Sequence, residues 1–165
     1  MTNNRICTVT FIHRPKRKLI FLPAQSGTDY WSYCQERGCD WEGLLSSIPS
    51  KLDMPALLFL NPAIVPQGFS NCAAGIEVAN GYTGKIPTGY LLAELEAGEM
   101  LYFQSEPYTD EQAYTQAIEE VFTAYENYDP ETFGYQYDKE IAPTFNFGAF
   151  KELGARIGFP VKKRK

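Results

Sequence analysis

The sequence predicts a single α+β domain built from duplicated strand-helix-strand-strand units, which form one antiparallel sheet with two main helices and a pseudo-two-fold cleft. Three observations support this prediction: two amphipathic helical stretches, a series of strand-like runs, and an internal similarity at an offset of 81 residues. The length of 165 residues fits one domain. We expect one half at about 18–80 and the other at about 89–162.

Two helical segments are predicted. The longer one, 110–127, starts at a capping box, carries apolar residues at spacings of three and four, and ends before Pro130. The earlier one begins after Thr28, is interrupted near Gly38, and resumes until Pro49 ends it. The acidic residues of 110–127 are expected on its solvent face.

Strand-like runs rich in apolar and aromatic residues surround these helices, and Pro and Gly clusters separate them. They span 18–22, 56–60, 72–79, 90–95, 100–104, 134–137 and 155–161. The residues before 18 include four basic ones and are expected to form a solvated tail.

An offset of 81 residues aligns a strand, a helix start and a second strand without a gap. The matched pairs are 20–22 with 101–103, 28–29 with 109–110, Tyr33 with Tyr114, Ala74 with Ala155, and Ile76 with Ile157. Such a repeat indicates two similar units, with a cleft where they meet. Tyr33 and Tyr114, at equivalent helix positions, are expected in the core.

Glu77 is the main chemical oddity, because it lies in an apolar strand between the small residues Gly75 and Ala79. In the repeat, Glu77 corresponds to Gly158 and Gly75 corresponds to Arg156. Three interpretations are open. Glu77 faces a ligand in the space beside Gly158, it forms an ion pair with Arg156, or it is exposed to solvent.

Aromatic residues near the starts of the helices are the other ligand-binding candidates. They are Tyr30, Trp31, Trp41, Tyr102 and Tyr108. Aromatic faces beside one carboxylate suit a cation or a flat apolar molecule. The sequence has no phosphate-binding glycine loop, no nucleophile motif and no Cys or His spacing typical of a metal site, so no catalytic residue, metal or cofactor is predicted.

The charge distribution restricts the partners. Residues 19–161 hold twenty acidic and six basic residues, so nucleic acid is a poor partner for this acidic body. No apolar run is long enough for a membrane helix, and the start lacks the apolar segment of a secretory signal. Together with four cysteines lacking a disulfide or zinc pattern, these features predict a cytoplasmic protein.

The order of several motifs resembles the GyrI-like domain, also called the regulator effector-binding domain. The motifs are Gly75-Ile76-Glu77-Val78, Ile86-Pro87-Thr88-Gly89-Tyr90, Met100-Leu101-Tyr102-Phe103-Gln104, Glu106-Pro107-Tyr108 and Ile157-Gly158-Phe159-Pro160-Val161. The resemblance covers about residues 18–162. It implies a duplicated fold with a ligand cleft, in which Glu77 takes the place of the family's central acid. Arg156 departs from the acidic residue that many members have there.

The resemblance also implies a function. Such domains act as multidrug or effector sensors in transcription regulation when fused to DNA-binding domains, and as sequestering proteins when alone; this chain is expected to be a stand-alone member. The main hypothesis is binding of an aromatic or cationic effector. The alternative is hydrolysis of reactive cyclopropane-type electrophiles, with Glu77 as general base, because some stand-alone relatives do this. A third hypothesis is a module that binds a regulatory protein partner.

Overall fold

The computed structural model describes residues 5–165 and has an α+β architecture, in which one antiparallel sheet carries the helices on one side. Within that range the sheet has nine strands: β1 Thr8–Arg14, β2 Arg17–Pro23, β3 Ala56–Phe59, β4 Cys72–Ala79, β5 Leu91–Leu95, β6 Gly98–Gln104, β7 Tyr135–Tyr137, β8 Thr144–Phe150 and β9 Gly154–Lys163. The helices are α1 Tyr30–Arg37, α2 Trp41–Ser46 and α3 Tyr114–Glu126, and short 3-10 turns span Pro62–Ile64, Glu111–Ala113 and Pro130–Phe133.

The strand order is β1-β6-β9-β8-β3-β4-β2-β5, and β7 pairs with the end of β9. The pair β3–β8 therefore lies at the centre of the sheet. Only Pro15 and Lys16 separate β1 from β2 in the chain, yet five strands lie between them in the sheet order. The sheet is curled, because Arg14 of β1 contacts Glu77 of β4 across its concave face.

The two faces of the sheet carry different cores. On the convex face, α1 and α2 pack over Ile20 and Ile76, while α3 packs over Leu101 and Ile157. The concave face holds a third cluster, which includes Leu19, Phe21, Leu58, Met100 and Tyr102. Alternation along each strand sends successive side chains to opposite faces, so Ile76 and Glu77 are on opposite sides of the sheet.

The predicted helices and the seven predicted strands are present within a few residues of their expected bounds. Two strands, β1 and β8, were not predicted. The expectation of a solvated basic tail before residue 18 is wrong, because β1 pairs with β6 along its whole length. Tyr33 is fully buried as expected, but Tyr114 is 46% exposed and is not a core residue. No helix within 5–165 is long and apolar enough to cross a membrane.

Candidate functional site

A cleft of about 540 Å³ lies on the convex face, between α1–α2 on one side and α3 on the other. The central strands β3 and β8 form its floor through Leu57 and the segment 146–150. Side chains from both halves of the chain therefore line one cavity, which we call the aromatic cleft. Its walls carry Tyr30, Trp31, Trp41, Glu42, Tyr114, Thr115, Ile118 and Glu119.

The capping of α1 places two rings at the edge of the cleft. The Asp29 carboxylate accepts a hydrogen bond from the backbone N–H of Ser32 at 2.8 Å, and this cap starts the helix at Tyr30. Tyr30 and Trp31 meet edge to face, with ring centroids 5.2 Å apart. Trp31 is 68% exposed, a large apolar surface that a ligand could cover.

The loop before α1 is fixed by a carboxylate. Glu36 accepts hydrogen bonds from the backbone N–H groups of Gln25, Ser26 and Gly27 at 2.6, 2.9 and 3.0 Å. These bonds lower the pKa of Glu36 to about 2, because they stabilise its charged form. The contacts tie the end of α1 to the loop that precedes it, so the start of the helix has a defined position.

The opposite wall comes from the first turns of α3. Tyr114 is the first residue of this helix, and Ile118 lies one turn later on the same side. Glu119 is exposed to solvent, as expected, and it also lines the cleft. The surface of α3 beside its buried apolar residues thus faces α1 and α2 across the strands β3 and β8.

The cleft has an acidic character. Glu42 and Glu119 are its charged lining residues, and no basic side chain is among the described residues that line it. Burial raises the pKa of the Glu42 carboxyl, since leaving water disfavours the charged form. Burial, together with a hydrogen bond to Cys34, raises the pKa of Tyr30 to about 12, so this phenol stays neutral.

A β-bulge shapes the floor. The pairing of β8 with β9 shifts between Asn146 and Ala149, and Gly148 has a φ of +78° that favours glycine. The Asn146 side chain accepts a hydrogen bond from the Gly148 N–H at 2.9 Å. Beyond the bulge, Phe150 is 39% exposed and lines the cleft.

Glu77 lies on the concave face, away from the aromatic cleft. Its side chain is 1% exposed, and its carboxylate accepts a hydrogen bond from Arg17 Nε and another from Arg14 Nη2 at 3.1 Å. The interpretation that Glu77 is exposed is therefore wrong. The pairing interpretation named the wrong partner, because Arg156 binds elsewhere.

Arg156 forms its ion pair with Asp53, and its guanidinium lies 3.8 Å from the centroid of the Phe147 ring. Tyr102, 4% exposed, is on the same concave face. Gly158 lies beneath Tyr102, where an added Cβ would be 2.8 Å from the ring carbon Cε1. Glu77, Tyr102, Arg156 and Gly158 thus share one face, and that face is not the one with the cleft.

Of the predicted ligand-binding residues, the structure brings Tyr30, Trp31 and Trp41 together in the cleft. Tyr108 packs with the core beneath α3 instead. The residues that the sequence interpretation missed are Glu42, Tyr114, Glu119, Asn146 and Phe150. The sequence pattern of α3 places Tyr114 and Glu119 beside its apolar face, and this position could have indicated them as lining residues. The positions of Asn146 and Phe150 depend on strand β8, which the sequence analysis did not predict.

Comparisons with known proteins give likenesses to solved structures. SAV2435 bound to tetraphenylphosphonium matches with a TM-score of 0.56 and 18% identity, and the match covers 94% of each chain. The chain has the fold of SAV2435. The C-terminal domain of EcmrR matches with a TM-score of 0.48 and 13% identity, over 98% of this chain and 99% of that one. No family model and no curated protein matches the sequence.

Proposed function

We propose that the protein binds a small lipophilic cation in the aromatic cleft. The observation that carries this proposal is the composition of the lining: rings from both walls, two carboxylates, and no basic residue among the described lining positions. Such a cavity matches a molecule with an apolar body and a positive charge. The volume of about 540 Å³ lies within the usual range of small-molecule sites.

The physical basis is desolvation combined with charge. Burying the exposed faces of Trp31 and Tyr114 against an apolar body removes water from both surfaces. The faces of aromatic rings attract a cation, by roughly 0.5–2 kcal/mol per well-placed ring. Glu42 and Glu119 add a negative potential from opposite walls. An anion of the same shape gains from desolvation, but it is not attracted by the ring faces or by the negative potential of the two carboxylates.

The fold relative supports this choice of ligand. SAV2435 was solved with tetraphenylphosphonium, a cation that carries four phenyl groups. We therefore choose tetraphenylphosphonium as the probe. We infer that a domain with this site serves as a sensor or as a sequestering protein for such compounds.

We further propose that the cleft lies on a pseudo-two-fold axis between duplicated halves. From the centre outward, the strand orders are β3-β4-β2-β5 and β8-β9-β6-β1. The offset of 81 residues carries Arg17–Pro23 onto Gly98–Gln104, which are the bounds of β2 and β6. Equivalent strands thus occupy equivalent places in the two halves, with β1 taking the place that β5 has in the first.

The alternative of hydrolysis by Glu77 gains no support. Both carboxylate oxygens of Glu77 already accept hydrogen bonds from arginines, and the residue is buried on the concave face. A general base needs an accessible lone pair within reach of the attacking water. Binding therefore remains the proposed function.

The test is calorimetric titration with tetraphenylphosphonium and, in parallel, with tetraphenylborate, which has almost the same shape and the opposite charge. We expect saturable binding of the cation and at least about tenfold weaker binding of the anion, since a tenfold ratio needs only about 1.4 kcal/mol of charge discrimination. Equal affinity for both ions would reject an acidic site, and binding of neither would reject the proposal.

A pair of matched variants locates the site. Trp31→Ala removes an exposed ring from the cleft, and Phe133→Ala removes a ring that is also exposed, 61% against 68%, but lies in the turn after α3. We expect Trp31→Ala to weaken tetraphenylphosphonium binding by about fivefold or more, as the loss of a ring contact worth about 1 kcal/mol implies. Phe133→Ala should leave the affinity unchanged. Equal effects would place the ligand outside the cleft.

A further inference from the structure

A second cavity of about 550 Å³ adjoins the aromatic cleft. It is formed by Glu42, Gly43 and Ser46 of α2, the segment 51–55 and the end of β8. Glu42 and Phe150 line both cavities, so the two are neighbours that share a wall rather than separate sites. We call the second cavity the side cavity.

Part of the lining of the side cavity is apolar. Leu52, Met54, Pro55 and Phe150 contribute apolar surface, and Leu52 is 40% exposed. Besides Glu42, its charged lining residues are Asp53, which is ion-paired with Arg156 and therefore neutralised within the protein, and the exposed Lys51. The carboxyl of Glu42 remains at the junction, where a positive centre could lie against it while an apolar chain passes over Phe150.

We propose that the side cavity binds an apolar arm of the ligand whose cationic aromatic head occupies the aromatic cleft. The ligand class is thus an elongated amphiphilic cation rather than a compact one. This inference rests on the proposed function, because the head must first be held in the cleft. Because the two cavities adjoin, the site prefers elongated ligands over compact ones. Phe150, which lines both cavities, lies between the head and the arm of the ligand.

The test compares methyltriphenylphosphonium with octyltriphenylphosphonium, which share one head and differ in the length of one arm. Each methylene that becomes fully buried strengthens binding by up to about fourfold. We expect the octyl compound to bind the full chain at least about tenfold more tightly than the methyl compound, a gain that burial of two or three methylenes would supply. Titrations are performed below the critical micelle concentration of the octyl compound.

Two matched leucine variants test where the arm binds. Leu52→Gln makes the side cavity polar, while Leu44→Gln changes a leucine of similar exposure, 45% against 40%, that lies on α2. The readout is the ratio of octyl to methyl affinity, which cancels any effect on the head. We expect the ratio to fall towards one in Leu52→Gln and to keep its wild-type value in Leu44→Gln. Equal ratios in both variants would overturn the inference.

A measurement on the unmodified protein gives an independent answer. With ¹³C-methyl-labelled methionine, the octyl compound should shift the Met54 methyl resonance more than the methyl compound does, because Met54 lines the side cavity. Met100, 1% exposed on the concave face, is an internal reference. Methyl-compound binding without a gain from the octyl arm overturns this inference alone. Failure of both compounds to bind overturns the proposed function and this inference with it.

Discussion

Arg17 and Glu77 form a buried ion pair across the neighbouring strands β2 and β4, and each side chain is 1% exposed. Arg17 also donates to the backbone oxygen of Glu96 at 3.1 Å, while Arg14 donates to the second carboxylate oxygen of Glu77. The acid is thus neutralised from β1 and β2, which lie near opposite ends of the strand order. This contact is one of the features that hold the curled sheet together.

Glu77→Gln should therefore reduce stability and leave ligand affinity intact. Removing one partner of a buried ion pair leaves the other charge uncompensated, a loss of roughly 3–5 kcal/mol. Urea denaturation measures the free energy of unfolding, and tetraphenylphosphonium titration of the folded variant measures the affinity. Affinity should be unchanged, because Glu77 and the aromatic cleft are on opposite faces of the sheet.

The control for this prediction is Glu94→Gln. Glu94 contacts Lys16 at 3.7 Å, and the two side chains are 58% and 45% exposed. Exposed pairs contribute little, so the free energy of unfolding should change by less than about 1 kcal/mol. A Glu77→Gln protein with normal stability and weakened cation binding would instead make Glu77 the counter-ion of the ligand.

The elements that local signals define could be predicted from the sequence. Helix caps and apolar periodicity gave α1, α2 and α3, and alternating or continuous apolar runs gave seven strands. Strand β1 was missed because its neighbourhood is rich in arginine and lysine, which normally indicates a solvated segment. Arg14 and Arg17 are tolerated inside the sheet only because Glu77, about sixty residues later, neutralises them.

The residues of the site also divide into those that local sequence signals define and those that depend on distant parts of the chain. Trp31 and Trp41 could be placed because they belong to the starts of helices. Glu42 and Glu119 could not, since their position beside the cleft depends on how the two halves approach each other. The floor at Asn146 depends on a strand interrupted by a bulge, which breaks the alternation that would have revealed it.

Gly158→Ala should destabilise the protein by overpacking. The added Cβ would lie 2.8 and 2.9 Å from Cε1 and Cδ1 of Tyr102, and this ring is buried beside Phe147 and cannot move aside freely. Overpacking of this kind costs roughly 1–3 kcal/mol in the free energy of unfolding. Gly81→Ala is the control, because a Cβ there meets no atom within 4 Å. Equal urea midpoints for the two variants would contradict the close contact.

Cation binding should strengthen as the pH rises through the titration of Glu42. Burial raises the pKa of this carboxyl in the free protein, and a bound cation favours the charged form and lowers the pKa again. At a pH between the Glu42 pKa of the free protein and that of the complex, binding therefore releases a proton. The affinity rises with pH over this range, by up to tenfold for each pH unit between the two pKa values, and is constant at higher pH. Tetraphenylphosphonium titrations from about pH 4 to 8, in buffers of different ionisation enthalpy, measure both the affinity and the proton release.

Glu42→Gln should remove most of this pH dependence, while Glu126→Gln, at the exposed end of α3, should retain it. Identical profiles for the two variants would show that Glu42 does not face the bound cation.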